Sequence, residues 1–444
     1  MAKKKTSKKE QVVTSAELDA AMDGILGQQA FEHGSRKIDA DFKNYTLVIP
    51  FPAFCLEWLF GINGCPLSRS WGLAAEPHVG KTAFIYEMIN WHRALMGRGA
   101  VGCTEGDKDS QTLRNSITKY DNKAFEFRAC NLVEIWQEYL MKASKRILDL
   151  FESHPEYTVP VCFAVDSYVG ALCRSKTESI LKKGYAESSY ATEAKLIGDW
   201  LRVFSNHRLA GNPFTLIGST HTYVNQSGGF SPPGQPAKQI LSGGQKLAYM
   251  SAITIMMSNV GKLNNVDMKG QYVRFSLPKN TLAGTKNFRN IDCGLYWITH
   301  PDNTQTTWWD WHEATVWLLS DREKFPAGGD IGKELVKVCN IHPVAGGNYW
   351  SKELGVPASE AMSGTELGKI LHARTDIIQE LRRVFNIYQH PYFKPHVRYQ
   401  PVEAPTEVVP GEAVASEEEA EEAAQTVPDK IDLSIPPHLR GVSS

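Results

Sequence analysis

Ala75-Glu76-Pro77-His78-Val79-Gly80-Lys81-Thr82 contains the residue types needed to cradle a phosphate group. Glycine at position 80 lets backbone amides approach anionic oxygens, and a helix starting immediately afterwards adds the positive end of its dipole. Lys81 brings a compact charge for terminal phosphates, and Thr82 a hydroxyl for Mg2+. The leading position is Ala75, where this motif ordinarily has glycine, and a methyl group there narrows the turns the backbone can make. Two acids complete the set. The run Gly99 to Thr104 ends in Glu105, and the apolar run Val161 to Val165 ends in Asp166. In a parallel sheet the C-terminal strand ends face the ligand crevice. Asp166 is thereby expected in the Mg2+ shell, with Glu105 as the general base or water-positioning group. The chemistry these residues specify is Mg2+-dependent hydrolysis of a nucleotide.

Such a set works only if strands and a helix hold it in place. Trp71 to Ala74 reads as a strand, and Phe84, Ile85, Met88, Ile89 and Trp91 as the apolar side of a helix, the required strand-loop-helix setting. Val161 to Val165 is apolar without alternation, which predicts a strand buried on both faces. Strand and helix patterns alternate to about residue 290, so the fold class is α/β with a mostly parallel twisted sheet flanked by helices. Five parts follow: a lysine-rich arm, 1–12; an N-terminal segment, 13–48; the core, 49–290; a small α+β lobe, 291–400; and an acidic tail, 401–444. In the second part Thr14-Ser15-Ala16-Glu17 offers a capping box for a helix with Leu18, Ala21, Met22, Ile25 and Leu26 on one face. In the lobe, Ser363 to Phe385 has helical spacing, and the tryptophans between Tyr296 and Trp317 are expected to pack its interior.

Charge and cysteine usage narrow the class. The net charge is −1, yet residues 1–10 hold five lysines and one glutamate, while 401–444 hold ten acids and two bases. A mildly basic body between a basic arm and an acidic tail suits a polyanion-binding protein whose tail competes for its own groove. No apolar run is long enough for a membrane span and no secretory signal opens the chain. The eight cysteines, without a Cys-x-x-Cys pair, read as reduced thiols of a cytoplasmic protein. Two long glycine-containing loops, 167–191 and 222–243, leave strands that also build the nucleotide site. The first carries Arg174, Lys176, Lys182, Lys183, Tyr185 and Tyr190, and the second Tyr223, Asn225, Phe230 and Lys238. Lysines that neutralise phosphates beside aromatics that stack on bases form the combination used for single-stranded nucleic acid.

Several segments resemble RecA-type homologous recombinases, most closely the phage UvsX branch. Val165-Asp166-Ser167-Tyr168-Val169-Gly170-Ala171-Leu172 resembles their metal-binding strand, and Gly243-Gly244-Gln245-Lys246-Leu247-Ala248-Tyr249 the helix start after the second DNA-binding loop. Ile49 to Arg69 is similar to the segment that introduces the recombinase core. Phe214 to Tyr223 is similar to the sensor strand, with His221 where the UvsX branch has histidine. Phe275 to Asn280 resembles the strand that reaches a lysine, Lys279, into the neighbouring subunit's nucleotide site. The family's second lysine is replaced here by Thr281, with Lys286 or Arg289 as substitutes. The match covers about Ile49 to Lys279.

The resemblance implies a RecA-like ATPase core and a helical filament on single-stranded DNA. It further implies pairing and strand exchange with homologous duplex DNA in phage recombination, repair and replication. His221 would sense the γ-phosphate, Asp109 and Arg114 would meet adenine, and Gly243 and Gly244 would join the DNA-binding residues. The N-terminal segment would dock on a neighbouring subunit. A phage single-strand-binding protein and a recombination mediator would be partners, in the cytoplasm of a bacterial host. Two other classes share the phosphate loop: a hexameric helicase or motor, which needs a ring-closing arginine finger, and a non-catalytic DNA-coating protein, to which Ala75 and Thr281 would point.

Overall fold

The computed structural model describes residues 47–95, 97–104, 125–129, 132–155, 158–169, 172–184, 191–224, 239–241, 251–264, 269–282, 289–299 and 305–394. A short antiparallel pair, β1 (Val48–Pro50) and β2 (Gly64–Pro66), flanks helix α1 (Phe54–Phe60). The main sheet has ten strands. In chain order they are β3 (Arg69–Ala75), β4 (Arg98–Cys103), β5 (Phe125–Ala129), β6 (Val161–Asp166), β7 (Phe214–Val224), β8 (Gln239–Leu241), β9 (Ile253–Asn264), β10 (Lys269–Asn280), β11 (Asn290–Thr299) and β12 (Gln305–Asp310). Their spatial order is β12-β11-β10-β9-β3-β7-β6-β4-β5, with β8 paired to β7. From β9 to β5 every neighbouring pair is parallel; β9 to β12 form an antiparallel extension. Helices α2 (Lys81–Arg93), α3 (Val133–Ser153), α4 (Arg174–Lys183) and α5 (Ala191–Phe204) fall between the parallel strands in the chain.

Both faces of β6 are buried, as its unbroken apolar run requires. Val161, Phe163 and Val165 pack in one core with Trp136, Trp200 and Phe204 from α3 and α5. Cys162 and Ala164 point the other way, into the larger core with Phe84, Ile85 and Met88 from α2. Two-residue periodicity thus sends alternate side chains into two separate interiors. Among the tryptophans, Trp309 and Trp311 stack in the larger core at 5.5 Å, with Phe84 and Phe275 against them. Seven of the cysteines are described and all are buried free thiols. Burial pushes Cys55 and Cys339 up to about 12.

One packing contact predicts acid sensitivity. His92, on α2, is completely buried, with Nδ1 2.7 Å from the Met88 carbonyl and Nε2 2.9 Å from the Thr215 hydroxyl on β7. A carbonyl only accepts, so Nδ1 carries the proton and Nε2 accepts from Thr215. Burial lowers its pKa from 6.5 to about 4. A depressed histidine contributes stability that is whole above pH 6.5 and is lost as the pH falls from there towards 4. The linkage is worth about 3 kcal/mol. Denaturant midpoints between pH 7 and 4 should fall accordingly, and His92→Gln should flatten that part of the profile; parallel profiles would remove His92 as the cause.

The structure redraws four boundaries, one being the expected loop 222–243: β7 enters it as far as Val224, and β8 lies within it, pairing antiparallel with β7. The sheet does not stop at residue 290, because β11 and β12 extend it through Asp310. The segment expected as the loop 167–191 contains helix α4, whose first amide, Arg174 N, is capped by the Glu134 carboxylate at 3.0 and 3.1 Å and whose end is a left-handed Gly184. Ten residues without glycine or proline satisfy helix geometry once both ends are capped. The helical stretch from Ser363 is two helices. After α6 (Trp311–Ser320) and α7 (Asp330–Val338), α8 (Gly364–Ala373) starts with a Ser363–Glu366 capping box and breaks at Arg374, from which α9 (Thr375–Val384) begins. Leu367, Leu371, Ile377, Ile378 and Leu381 are buried, as their spacing predicts. A small antiparallel sheet of β13 (His342–Val344), β14 (Asn348–Trp350) and β15 (Met362–Ser363) lies between α7 and α8 in the chain. The N-terminal helix with its capping box, the basic arm and the acidic tail lie outside the described residues.

Candidate functional site

Strand register brings the predicted residues together. Ala75, the last residue of β3, pairs with His221 on β7, and Cys103 at the end of β4 pairs with Asp166 at the end of β6. All four strands run parallel, so their C-terminal ends open on one edge. The loop Glu76 to Gly80 leaves that edge and passes directly into α2.

Ala75 is fully buried in regular β pairing on both sides, with β7 and β9. The turn begins after it, so the methyl group costs no backbone strain. Strain sits further along, where His78 has φ 62° and Gly80 φ 101°. At Gly80 a Cβ would also crowd a Leu295 methyl at 2.6 Å and Trp309 at 3.3 Å, but it is the left-handed conformation that calls for glycine.

Lys81 is 5 % exposed, and its Nζ is held inside the loop. It donates to the carbonyls of Ala75 at 3.1 Å and Glu76 at 2.8 Å, and lies 3.2 Å from Nδ1 of His221. An ammonium only donates, so Nδ1 of His221 carries a lone pair in this arrangement. Thr82 Oγ1 donates to Asp166 Oδ2 at 2.6 Å, and Ser219 Oγ donates to Oδ1 at 2.5 Å. Asp166 is 2 % exposed, so both carboxylate oxygens are fixed by hydroxyls. Thr104 closes the bracket: its Oγ1 donates to the Ser167 carbonyl at 2.7 Å and accepts from the Ser167 amide at 3.0 Å. Gly218 leaves room for the buried Tyr168 ring, which a Cβ would overlap at 2.0 Å.

The donor set fits Mg2+ and phosphate. A hydroxyl and a carboxylate 2.6 Å apart are hard oxygen ligands of the kind Mg2+ takes, and a buried ammonium beside a helix N-terminus attracts phosphate oxygens. Ser219 was not among the expected residues, although it shares a strand face with His221 two positions on.

The other predicted residues have different standings. Lys279 lies near the end of β10 opposite Thr254, whose β3 neighbour is Gly72, three residues before Ala75. It therefore sits level with the middle of β3, below the edge that carries the loop, half-buried, and burial lowers its pKa. Arg289, the possible substitute, donates to the Trp58 carbonyl at 2.6 Å and lies over the Trp58 ring at 5.2 Å. On α4, which buries none of its residues, Arg174, Lys182 and Lys183 are exposed, Leu181 is 80 % exposed, and Lys176 is ion-paired with Glu193 at 3.0 Å. Glu105, Asp109, Arg114, Tyr185, Tyr190, Asn225, Phe230, Lys238, Gly243, Gly244 and Lys286 lie outside the described residues, as does the side chain of Tyr223. Among the described residues no helix is long and apolar enough to cross a membrane.

No protein-family model matches this chain, and no curated protein matches it.

Proposed function

We propose that the chain is a P-loop nucleotide hydrolase that binds Mg2+ and ATP at the loop Glu76 to Gly80. Within that class we read it as a RecA-like, DNA-dependent ATPase similar to the phage UvsX recombinases, forming helical filaments on single-stranded DNA and catalysing strand exchange. The observation that carries the reading is the convergence of Lys81, Thr82, Asp166 and His221 on one sheet edge, in the roles their residue types suggest. When bound, Mg2+ supplies charge neutralisation at the phosphoryl oxygens. Thr82 and Asp166 hold it. Lys81 exchanges loop carbonyls for phosphate oxygens, and Glu105 positions the attacking water. Lys279 serves the neighbouring subunit's site, as the resemblance implies. Exposed Arg174, Lys182 and Lys183 leave β6 on α4 and contact DNA phosphates.

His221 is the proposed link between the two sites. It accepts from Lys81 at one ring nitrogen, and its strand runs on into the second DNA-binding segment. When Lys81 turns to a phosphate, the histidine loses that donor and can report the change along β7. In His221→Ala, ATP binding should persist, while DNA ceases to stimulate hydrolysis and ATP ceases to tighten DNA binding. Paired titrations measure this. Because binding coupling is reciprocal, intact mutual tightening in the variant would dismiss His221 as the sensor.

A further inference from the structure

The loop Glu76 to Gly80 is held from outside by a side chain that no sequence motif marks. Gln271, on β10, is 7 % exposed, and its Nε2 donates to the carbonyl of His78 at 3.1 Å across a sequence separation of 193 residues. Its Oε1 accepts from Asn259 Nδ2 at 2.8 Å, and Asn259 Oδ1 in turn accepts from the Gly261 amide at 3.0 Å. Both ends of this chain are backbone groups with only one possible role. The Gly261 amide must donate, so Asn259 must present oxygen to it and nitrogen to Gln271. Gln271 must then present oxygen to Asn259 and nitrogen to the loop, where the His78 carbonyl must accept. The polarity of the whole relay is fixed.

The relay starts at a β-bulge. Gly261 pairs with Tyr272 and Asn259 with Val273, which leaves Val260 between them, 45 % exposed. It ends at the strained residue of the loop, His78 with φ 62°. A trans peptide is planar, with its carbonyl and amide pointing to opposite sides. Holding the His78 carbonyl towards Gln271 therefore turns the Val79 amide away from Gln271.

We infer that Gln271 is a positioning residue that, through the Asn259 relay, fixes the His78–Val79 peptide so that the Val79 amide faces a bound phosphate. The inference rests on the nucleotide reading for the identity of the anion, and on the hydrogen-bond chain for the positioning. The bulged hairpin of β9 and β10 thereby sets the affinity of the loop.

The test uses the full chain and two variants. Gln271→Met keeps the side-chain length and removes the donor; because His78 is exposed, water can satisfy its carbonyl without fixing the plane. The variant should bind a fluorescent ATP analogue about tenfold more weakly. Turnover at saturating ATP should stay within about twofold, as for lost uniform binding. Its Tm should stay within about 2 °C, and amide exchange over residues 76–82 of the nucleotide-free protein should accelerate. Asn259→Asp is at an exposed position that does not touch the loop. A carboxylate cannot donate to Gln271, so the Gln271 amide turns over and sets oxygen against the His78 carbonyl. The same loop should exchange faster, with analogue binding about threefold weaker. Loop exchange unchanged in both variants would overturn the positioning role, whatever ATP does. Accelerated exchange in both, in a parent that holds no ATP, would uphold the positioning and defeat the nucleotide reading instead.

Discussion

A Lys81→Met protein is expected to fold normally and to hold Mg2+ and ATP about a hundredfold more weakly than the parent, the loss of hydrogen bonds from one charged donor in a desolvated site. Methionine keeps the aliphatic stem that packs in the nearly buried pocket, so the change removes charge without leaving a hole. The carbonyls of Ala75 and Glu76 lose their donor, yet Glu76 is exposed to water, which limits the structural cost. The readout combines a direct titration with unfolding in the presence of ATP. A ligand at about a hundred times its Kd stabilises the folded protein by about 2.7 kcal/mol. The parent should show that gain, and the variant should show almost none at the same concentration. Equal stabilisation of both proteins by ATP would mean that the loop is not where the nucleotide binds.

Breaking one ion pair should have the second largest effect, on stability rather than on chemistry. Glu57 on α1 and Arg382 on α9 form a bidentate pair, 2.7 Å at each contact, with side chains 5 % and 9 % exposed. The Tyr392 hydroxyl accepts from the same guanidinium at 2.9 Å and donates to the Asn63 carbonyl at 3.1 Å. Asn63 also fixes the following strand-like segment through both main-chain groups of His390, at 2.8 and 3.0 Å. Glu57→Gln would leave a buried guanidinium without its counter-charge, at a cost of about 3–5 kcal/mol. At the few degrees per kcal/mol typical of large domains, that is a fall in Tm of roughly 10 °C. The double variant Glu57→Leu, Arg382→Met removes both charges and should recover most of the loss, because a well-packed apolar pair replaces an ion pair at little net cost. A Glu57→Gln protein as stable as the parent would show that the ion pair contributes nothing to holding the C-terminal segment.

How far the sequence reveals this molecule depends on whether the decisive contact is local. The strand-loop-helix from Arg69 to Arg93 is readable because every cue lies within 25 consecutive residues: an apolar run, Gly80, and a helical face. Asp166 is readable because a strand buried on both faces has an unmistakable composition. The Thr82–Asp166 contact follows once both elements are placed in a parallel sheet. Ala75 reads as a defect in the motif and is harmless in the structure, because the position belongs to the strand and the positive φ values fall at His78 and Gly80. Helix α4 was hidden by its cap, which comes from Glu134, 40 residues earlier. Gln271, Asn259 and the Glu57–Arg382 pair were hidden for the same reason. Nothing in a local pattern tells which polar residue on a distant strand will meet a loop carbonyl or a buried carboxylate. Sequence places β11 and β12 in a separate lobe because their tryptophans read equally well as the interior of any domain.

The proposed activity is hydrolysis of ATP at this sheet edge in response to DNA. Its most direct test is steady-state phosphate release by the full chain with Mg2+ and ATP, with and without single-stranded DNA, beside Lys81→Met. Turnover should rise when single-stranded DNA is added and should vanish in the variant. Phosphate release that stays at the Lys81→Met level at every DNA concentration would contradict the account.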